Sequence, residues 1–217
     1  MRTAIKPAQA VALIPDGAVL MIGGFMAVGT PERLIDELVL QGRRDLTVIA
    51  NDTARPGHGI GKLISAGCCR KVIASHIGTN PETQQKMIAG ELEVELVPQG
   101  TLAEQVRAGG YGLGGVLTPT GYGTAVAEGA TVIEVDGRPF LLAKPIRADF
   151  ALIKAKEADY LGNLSYSLTA RNFNPMMALA AETVIAEPDM IVPIGMISPD
   201  HIHTPAALVD HLIVRAL

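Results

Sequence analysis

Short apolar runs alternate along this chain with segments that begin near a proline and are closed by a glycine. The first of these runs, residues 18–22, is continuous, which is typical of a strand buried on both faces of a parallel sheet. Proline near the start and glycine after the end are typical of helices. This order predicts an α/β fold, an open and mostly parallel sheet flanked by helices. The first half has predicted strands over residues 18–22, 46–50, 72–75 and 94–97, and predicted helices over 31–41 and 80–90.

The second half of the chain contains a hairpin signal and three more apolar runs. Asp136 and Gly137 form a two-residue turn signal, which predicts antiparallel strands over 131–135 and 138–142. We predict the glycine-dense segment 109–123 to be a loop, either a cover for a ligand site or a plain connection. Further strands are predicted over 150–154, 183–187 and 212–215, with a helix over 175–181. A chain of 217 residues, 48% hydrophobic, is predicted to form one domain over residues 1–217.

The first predicted strand runs into a glycine loop that opens a helix. Gly23, Gly24 and Gly29 allow positive φ and a close approach of the backbone to a ligand. Thr30 is suited to cap the helix and Pro31 to occupy its first position, which would leave free amide groups facing the loop. An anion such as phosphate or carboxylate would fit there. The loop lacks the lysine of a P-loop and the glycine spacing of a dinucleotide-binding loop. The alternative interpretation is a tight turn that binds no ligand.

Polar residues follow each of the first four predicted strands. In an open α/β sheet, ligands bind at the carboxyl ends of the parallel strands. We therefore expect the glycine loop, Asn51 and Asp52, His76, and Gln99 to converge on one crevice. Asn51 and Gln99 are neutral donors suited to an oxyanion or carboxylate, or they are loop residues that satisfy local backbone groups.

Composition narrows the possible partners. The net charge of −4 and the lack of a basic stripe or aromatic platform argue against nucleic acid as the main partner. No apolar run approaches the roughly 20 residues of a membrane span, so we expect no membrane contact. Cys68 and Cys69 are adjacent, which predicts packing residues and a reducing, cytoplasmic location. The high hydrophobic content favours an oligomer.

Several other polar residues are weaker candidates. His201 and His203 would share one face of an extended segment, but a third metal ligand with suitable spacing is lacking, so we expect no metal site. Glu32 and Asp36 lie four residues apart on a predicted helix and are interpreted as surface charges. The spacing between Thr101 and Glu104 is that of a capping box, which predicts the start of a helix at Thr101.

A composite set of motifs resembles the alpha subunit of family I CoA-transferases of the short-chain 3-oxoacid type. The first motif is Asp16-Gly17 through Gly23-Gly24-Phe25 to Gly29-Thr30-Pro31, and the resemblance covers nearly the whole chain. It continues through Ile49-Ala50-Asn51-Asp52-Thr53, Ala74-Ser75-His76-Ile77-Gly78-Thr79-Asn80-Pro81, Val97-Pro98-Gln99-Gly100-Thr101-Leu102-Ala103-Glu104 and Ala170-Arg171-Asn172-Phe173-Asn174-Pro175.

This resemblance implies the fold of that family and a ping-pong exchange of CoA between an acyl-CoA and a carboxylic acid. It implies a glutamyl-CoA thioester on a beta subunit, which carries the nucleophile in a Glu-Asn-Gly motif that this sequence lacks. CoA is then a substrate, no cofactor is tightly bound, and the assembly has two alpha and two beta chains. The implied substrate- and CoA-binding residues are Gly23, Gly24, Phe25, Met26, Ala27, Val28, Gly29, Asn51 and Gln99.

Two other function classes remain open from the residues alone. A stand-alone anion- or nucleotide-binding regulatory module would use the same glycine loop without a partner chain. A sugar-phosphate isomerase or deaminase in a related fold would need an acid and base pair at the crevice, and the sequence offers none that is evident.

Overall fold

A computed structural model describes residues 4–214 of the chain. Eleven strands are described in this range, and their bounds follow the predicted apolar runs in the first half of the chain. They are β1 (Val19–Ile22), β2 (Leu46–Ile49), β3 (Cys69–Ala74), β4 (Glu93–Leu96), β5 (Val116–Thr118), β6 (Val132–Val135), β7 (Arg138–Ala143), β8 (Ala148–Asp159), β9 (Leu164–Ser165), β10 (Ala181–Val192) and β11 (His211–Leu212).

Six α-helices are described in the same range. They are α1 (Pro7–Val11), α2 (Glu32–Leu40), α3 (Gly61–Ser65), α4 (Pro81–Ile88), α5 (Gln99–Gly110) and α6 (Asn174–Ala180). Asn80 caps α4 by accepting hydrogen bonds from the amides of Glu82 and Thr83, as expected for an asparagine before Pro81. None of the helices over residues 4–214 is long and apolar enough to cross a membrane.

The main sheet is parallel in the order β11-β10-β8-β1-β2-β3-β4, with β9 pairing antiparallel to the end of β8. The prediction of an α/β fold with an open, mostly parallel sheet is therefore confirmed. Helices cover both faces: α1, α2 and α3 pack on one side, while α5 and α6 pack on the other. Side chains alternate between these two cores along β1, since Leu20 and Ile22 belong to the first and Met21 to the second. The central strands are thus buried on both faces.

Strands β5, β7 and β6 form a separate three-stranded antiparallel sheet. The predicted hairpin is confirmed, because Val135 pairs with Arg138 across Asp136 and Gly137, which have φ of 51° and 72°. The predicted loop over 109–123 is wrong in part. Gly109 and Gly110 end α5, and residues 116–118 form β5.

The two longest strands, β8 and β10, each extend two residues before and five residues after the predicted ranges. Pro188 lies within β10, although proline lacks the amide needed for a sheet interior. Over residues 4–214, β11 pairs only with Ile185 and Ala186, so Pro188 lies beyond the described pairing on that side of β10, where proline is tolerated. Residue 215 of the last predicted strand lies outside the described residues, and one domain over 1–217 stays a prediction.

Candidate functional site

The loops after β1, β2 and β4 meet at the carboxyl edge of the main sheet. The side chain of Asn51 donates from Nδ2 to the carbonyl oxygen of Gly24 at 2.6 Å. Its Oδ1 accepts a hydrogen bond from Nε2 of Gln99 at 2.5 Å. The backbone at Asp52 also forms a β-bridge with His76 after β3. The sequence prediction that these four loops converge matches this geometry.

Asn51 and Gln99 differ in exposure. Asn51 is 1% exposed, whereas Gln99 is exposed at the first residue of α5. Asn51 therefore satisfies a backbone carbonyl and also orients the Gln99 amide, while binding of an oxyanion or carboxylate by these two side chains stays a prediction. His76 is exposed and its imidazole lies against Gly78, outside the amide network.

Residues 25–28 of the glycine loop form a tight turn. Phe25 and Val28 exchange two backbone hydrogen bonds of 3.0 and 2.9 Å, and Met26 and Ala27 between them have φ of 52° and 69°. Such φ values in residues other than glycine are strained and persist only where neighbouring groups hold them. Phe25 is 50% exposed and Val28 58% exposed, so the turn presents two apolar side chains at the rim.

Asp52 holds this turn in place. Its Oδ2 accepts a hydrogen bond from the amide of Met26 at 2.9 Å, and its Oδ1 accepts one from the amide of Ala54 at 2.6 Å. The residue is 3% exposed, so both carboxylate oxygens are engaged and shielded. Asp52 is therefore poorly placed to act as a nucleophile and well placed to position the turn.

The loop glycines pack against the chain itself. A Cβ on Gly23 would lie 1.7 Å from Oδ1 of Asn174, one on Gly24 2.0 Å from Oγ1 of Thr30, and one on Gly29 2.6 Å from Cβ of Ala170. We predicted that these glycines give a ligand close access to the backbone. The structure shows that neighbouring side chains approach the backbone at these glycines, so substitutions here test folding before binding, and contact with a ligand stays a prediction.

The prediction of a free helix end behind the loop is wrong. Thr30 does not cap α2; Pro31 is the N-cap residue and no side chain of the cap bonds the helix amides. The amide of Leu34 instead donates to Oε2 of Glu187 at 3.0 Å. Glu187 is 2% exposed and also pairs with Arg33 and Lys154, at 3.3 and 3.4 Å. A carboxylate of the protein thus occupies the position that we assigned to an external anion.

The predicted capping box at Thr101 is also wrong. Helix α5 begins two residues earlier, at Gln99, with Pro98 as its N-cap. Thr101 therefore lies inside the helix, where its Oγ1 is buried without a hydrogen-bond partner among the described residues. The earlier start places Gln99 on a rigid element instead of a loop.

The weaker candidates do not form a second site. Glu32 and Asp36 both pair with Lys62 at 2.6 Å, which ties α2 to α3 at the surface. Over residues 4–214, no group of three or more His, Cys, Asp or Glu side chains is arranged to hold a metal, so His201 and His203 lack a third ligand. Burial raises the pKa of the Cys69 thiol to about 12, which fits a packing residue.

A cavity of about 560 Å³ lies between α5 and the small sheet. Thr101 and Gln105 line it, and each carries a buried oxygen without a hydrogen-bond partner in the described part of the chain. Gln99 precedes Thr101 by two positions, so the two side chains leave roughly opposite sides of the helix. The cavity is therefore separate from the amide network at the crevice.

Comparison with known proteins agrees with this architecture. Residues 4–215 match the model of the family described as Coenzyme A transferase. The chain belongs to the coenzyme A transferase family. It is 58% identical over 215 residues to acetate CoA-transferase subunit alpha of Escherichia coli (strain K12), covering 99% of this chain and 98% of the relative. It is 50% identical over 198 residues to the acetoacetyl-CoA:acetate/butyrate CoA transferase alpha subunit of Clostridium acetobutylicum, covering 91% of each.

A solved structure confirms the CoA-transferase fold. An acyl-CoA transferase from E. coli O157:H7, crystallised as a thioester complex with CoA, matches with a TM-score of 0.85 at 22% identity. The match covers 97% of this chain and 46% of that one, so this chain spans about half the length of that structure. The resemblance to family I CoA-transferases predicted from the motifs is confirmed.

Sequence analysis missed three residues that organise this CoA-transferase crevice, and it placed Asp52 there without giving it a role. Asp52 and Asn174 position the glycine loop, Glu187 fills the end of α2, and Ser75 contacts Gln99. Asp52, Ser75 and Asn174 lie inside the quoted motifs, so the motifs pointed to them without giving a role. No local signal pointed to Glu187, because it lies in a strand far along the chain.

Proposed function

We propose that this chain is the alpha subunit of a heteromeric CoA-transferase that moves CoA between an acyl-CoA, such as acetoacetyl-CoA, and a short-chain carboxylate, such as acetate or butyrate. The names of the two alpha-subunit relatives support both the substrates and the need for a beta subunit. We further propose a cytoplasmic assembly of two alpha and two beta chains, with CoA as a substrate and no tightly bound cofactor.

The observation that carries this proposal is the pair of neutral amides at the carboxyl edge. Asn51 and Gln99 supply preorganised N–H donors, and the neighbouring carboxylate of Asp52 is buried and fully hydrogen-bonded. Such donors stabilise charge that develops on an oxygen, but they do not attack a thioester. The chain therefore provides half of a site, and the nucleophile comes from the partner.

In the proposed reaction, a glutamate of the beta subunit attacks the acyl-CoA carbonyl. The C–S bond breaks, an acyl-glutamyl anhydride forms and CoA leaves as the thiolate. The thiolate then attacks the glutamyl carbonyl, which gives a glutamyl-CoA thioester and releases the first carboxylate. A second carboxylate reverses these steps and leaves as its CoA ester. The role proposed for Asn51 and Gln99 is to bind the carboxylate and to stabilise each oxyanion.

Phe25, Met26, Ala27 and Val28, between Gly23-Gly24 and Gly29, are proposed to contact CoA. The exposed side chains of Phe25 and Val28 support this role, because they offer apolar surface to the flexible arm of CoA. Binding energy from this unreactive part of the substrate can lower the barrier at the thioester.

The test is to purify the chain together with its beta subunit and to incubate the complex with acetoacetyl-CoA. We expect mass spectrometry of the separated subunits to find CoA attached to the beta chain, and addition of acetate to discharge it as acetyl-CoA. Attachment of CoA to this chain would contradict the proposal. So would full transfer activity of this chain without a partner.

Replacing Gln99 with alanine measures the role of the exposed amide. We expect kcat/KM for CoA transfer to fall by about 10- to 1000-fold, because one oxyanion or carboxylate donor is lost. Gln85→Ala is the matched control, since Gln85 is exposed on α4. A change smaller than twofold for Gln99→Ala would remove Gln99 from the site.

A further inference from the structure

The hydroxyl of Ser75 lies between two acceptor oxygens at the end of β3. Its Oγ is 2.8 Å from the backbone carbonyl oxygen of Asn51 and also contacts Oε1 of Gln99. A serine hydroxyl has one proton, so it can donate to only one of these oxygens. The carbonyl of Asn51 already accepts the backbone amide of Ser75 at 3.0 Å. Over residues 4–214, Oε1 of Gln99 accepts a hydrogen bond from no other group, so this oxygen depends on the Ser75 hydroxyl.

This hydrogen bond and the one to Asn51 together fix which way the Gln99 amide points. With Oε1 held by Ser75, Nε2 faces Oδ1 of Asn51 at 2.5 Å. The amide of Asn51 is oriented in turn, because its Nδ2 donates to the carbonyl of Gly24 at 2.6 Å. A chain of donors and acceptors thus runs from Ser75 through both amides to the glycine loop.

Each of the two amide nitrogens keeps a second N–H. Over residues 4–214, the structure gives Nε2 of Gln99 and Nδ2 of Asn51 one protein acceptor each. Rotating the Gln99 amide by half a turn would bring its oxygen against Oδ1 of Asn51 and would present an acceptor where a donor is needed. An acceptor in that position repels a carboxylate or an oxyanion instead of binding it.

We propose that Ser75 is a positioning residue of the CoA-transferase site, which sets Gln99 as a donor toward the oxygen of the carboxylate substrate. This assignment rests on the proposed function, because it requires Gln99 to contact that substrate. Ser75 acts through Gln99, and its effect disappears when the amide is absent.

A double-mutant cycle on the alpha–beta complex tests the assignment. The variants are Ser75→Ala, Gln99→Ala and both together, with acetoacetyl-CoA and acetate as substrates. We expect Ser75→Ala alone to lower kcat/KM for acetate by about 3- to 30-fold, mainly through KM. In the Gln99→Ala background, the same change should alter kcat/KM by less than twofold. Ser75→Thr keeps the hydroxyl and should restore most of the activity.

Two controls separate positioning from loss of structure. Ser65→Ala removes a hydroxyl that bonds the carbonyl of Gly61 and the carboxylate of Glu82 on α3 and α4, and should leave transfer unchanged. Thermal unfolding and subunit association should be the same for Ser75→Ala and Ser75→Thr.

Two outcomes would overturn the assignment of Ser75 without affecting the proposed CoA transfer. One is additive losses of kcat/KM from Ser75→Ala and Gln99→Ala. The other is a Ser75→Ala complex whose kcat/KM lies within twofold of that of the natural complex. A natural complex that transfers no CoA would overturn the proposed function, and the role of Ser75 with it.

Discussion

Two buried carboxylates set the shape of the crevice at the scale of single residues. Asp52 accepts hydrogen bonds from the amides of Met26 and Ala54, and Glu187 accepts one from the amide of Leu34 at the start of α2. Each carboxylate satisfies backbone groups that would otherwise be unpaired in a buried position. Asp52 therefore holds the glycine loop through a hydrogen bond within the chain itself.

Replacing Asp52 with asparagine tests this role. An amide has one acceptor oxygen and would face one of the two backbone N–H groups with its own NH₂, so we expect a loss of about 1–3 kcal/mol in the free energy of unfolding. Denaturant unfolding of the purified complex measures this loss.

Asp36→Asn is the control for Asp52→Asn, because Asp36 pairs with Lys62 at the surface, where such pairs contribute about 0–1 kcal/mol. Equal effects of the two substitutions would contradict the anchoring role of Asp52.

At the scale of elements, the segment between β1 and α2 is held by the start of α6. Asn174 donates to the carbonyl oxygens of Gly29 and Ala170 at 3.0 and 2.8 Å and accepts the amide of Lys154 at 3.0 Å. Gly23 leaves room for this side chain. The motifs around residues 23–31 and 170–175 are therefore two halves of one packing arrangement.

Gly23→Ala is predicted to break that arrangement. The new Cβ would overlap Oδ1 of Asn174, which is buried and cannot move away freely, so we expect a loss of several kcal/mol or failure to fold. Gly114→Ala is the matched control, because nothing lies within 4 Å of a Cβ there. Thermal unfolding and the soluble yield of each variant measure the difference. A Gly23→Ala protein as stable as Gly114→Ala would contradict the packing role.

Two errors at the element scale concern the caps of helices. Thr30 and Thr101 both have the local sequence of a helix cap, yet neither caps a helix. A cap contributes about 1 kcal/mol, which tertiary contacts of the same helix can outweigh. For α2 the competing contact is Glu187, and α5 simply begins earlier, after Pro98. The starts of α2, α4 and α6 lie within one residue of the predicted starts, whereas α1 and α3 were not predicted.

At the scale of the whole molecule, the carboxyl edge of the sheet presents amide donors beside an exposed apolar turn. Gln99, Phe25 and Val28 are all exposed there. The anion position at the start of α2 is filled by Glu187. A stand-alone nucleotide-binding module would need that position, so the structure favours a site that is completed by a second chain.

Nucleotide binding by the isolated chain distinguishes a stand-alone binding module from a site that a second chain completes. We expect calorimetry to show no tight binding of ATP to this chain alone, because the helix end already holds a carboxylate. The native mass of the protein purified gently from its own cells should correspond to a complex with a chain that contains a Glu-Asn-Gly segment. Tight ATP binding without a partner, or a pure homo-oligomer that transfers CoA, would contradict the half-site interpretation.

The sequence by itself determined the fold class, the first four strands, the hairpin and the CoA-transferase family. These features depend on short apolar runs, on glycine and proline at the ends of elements, and on motifs that are contiguous in the chain. It also predicted that Asn51 and Gln99 would lie at one edge, because parallel strands end together.

Only the tertiary structure decided how the site is held. Glu187 accepts a hydrogen bond from the amide of Leu34, which lies 153 residues away in the sequence. Asn174 donates one to the carbonyl of Gly29, 145 residues away. Ser75 and Gln99 come from different strand ends, 24 residues apart. A hydrogen bond requires two groups within about 3 Å at a suitable angle, and no local pattern records which distant residues the folded chain brings that close.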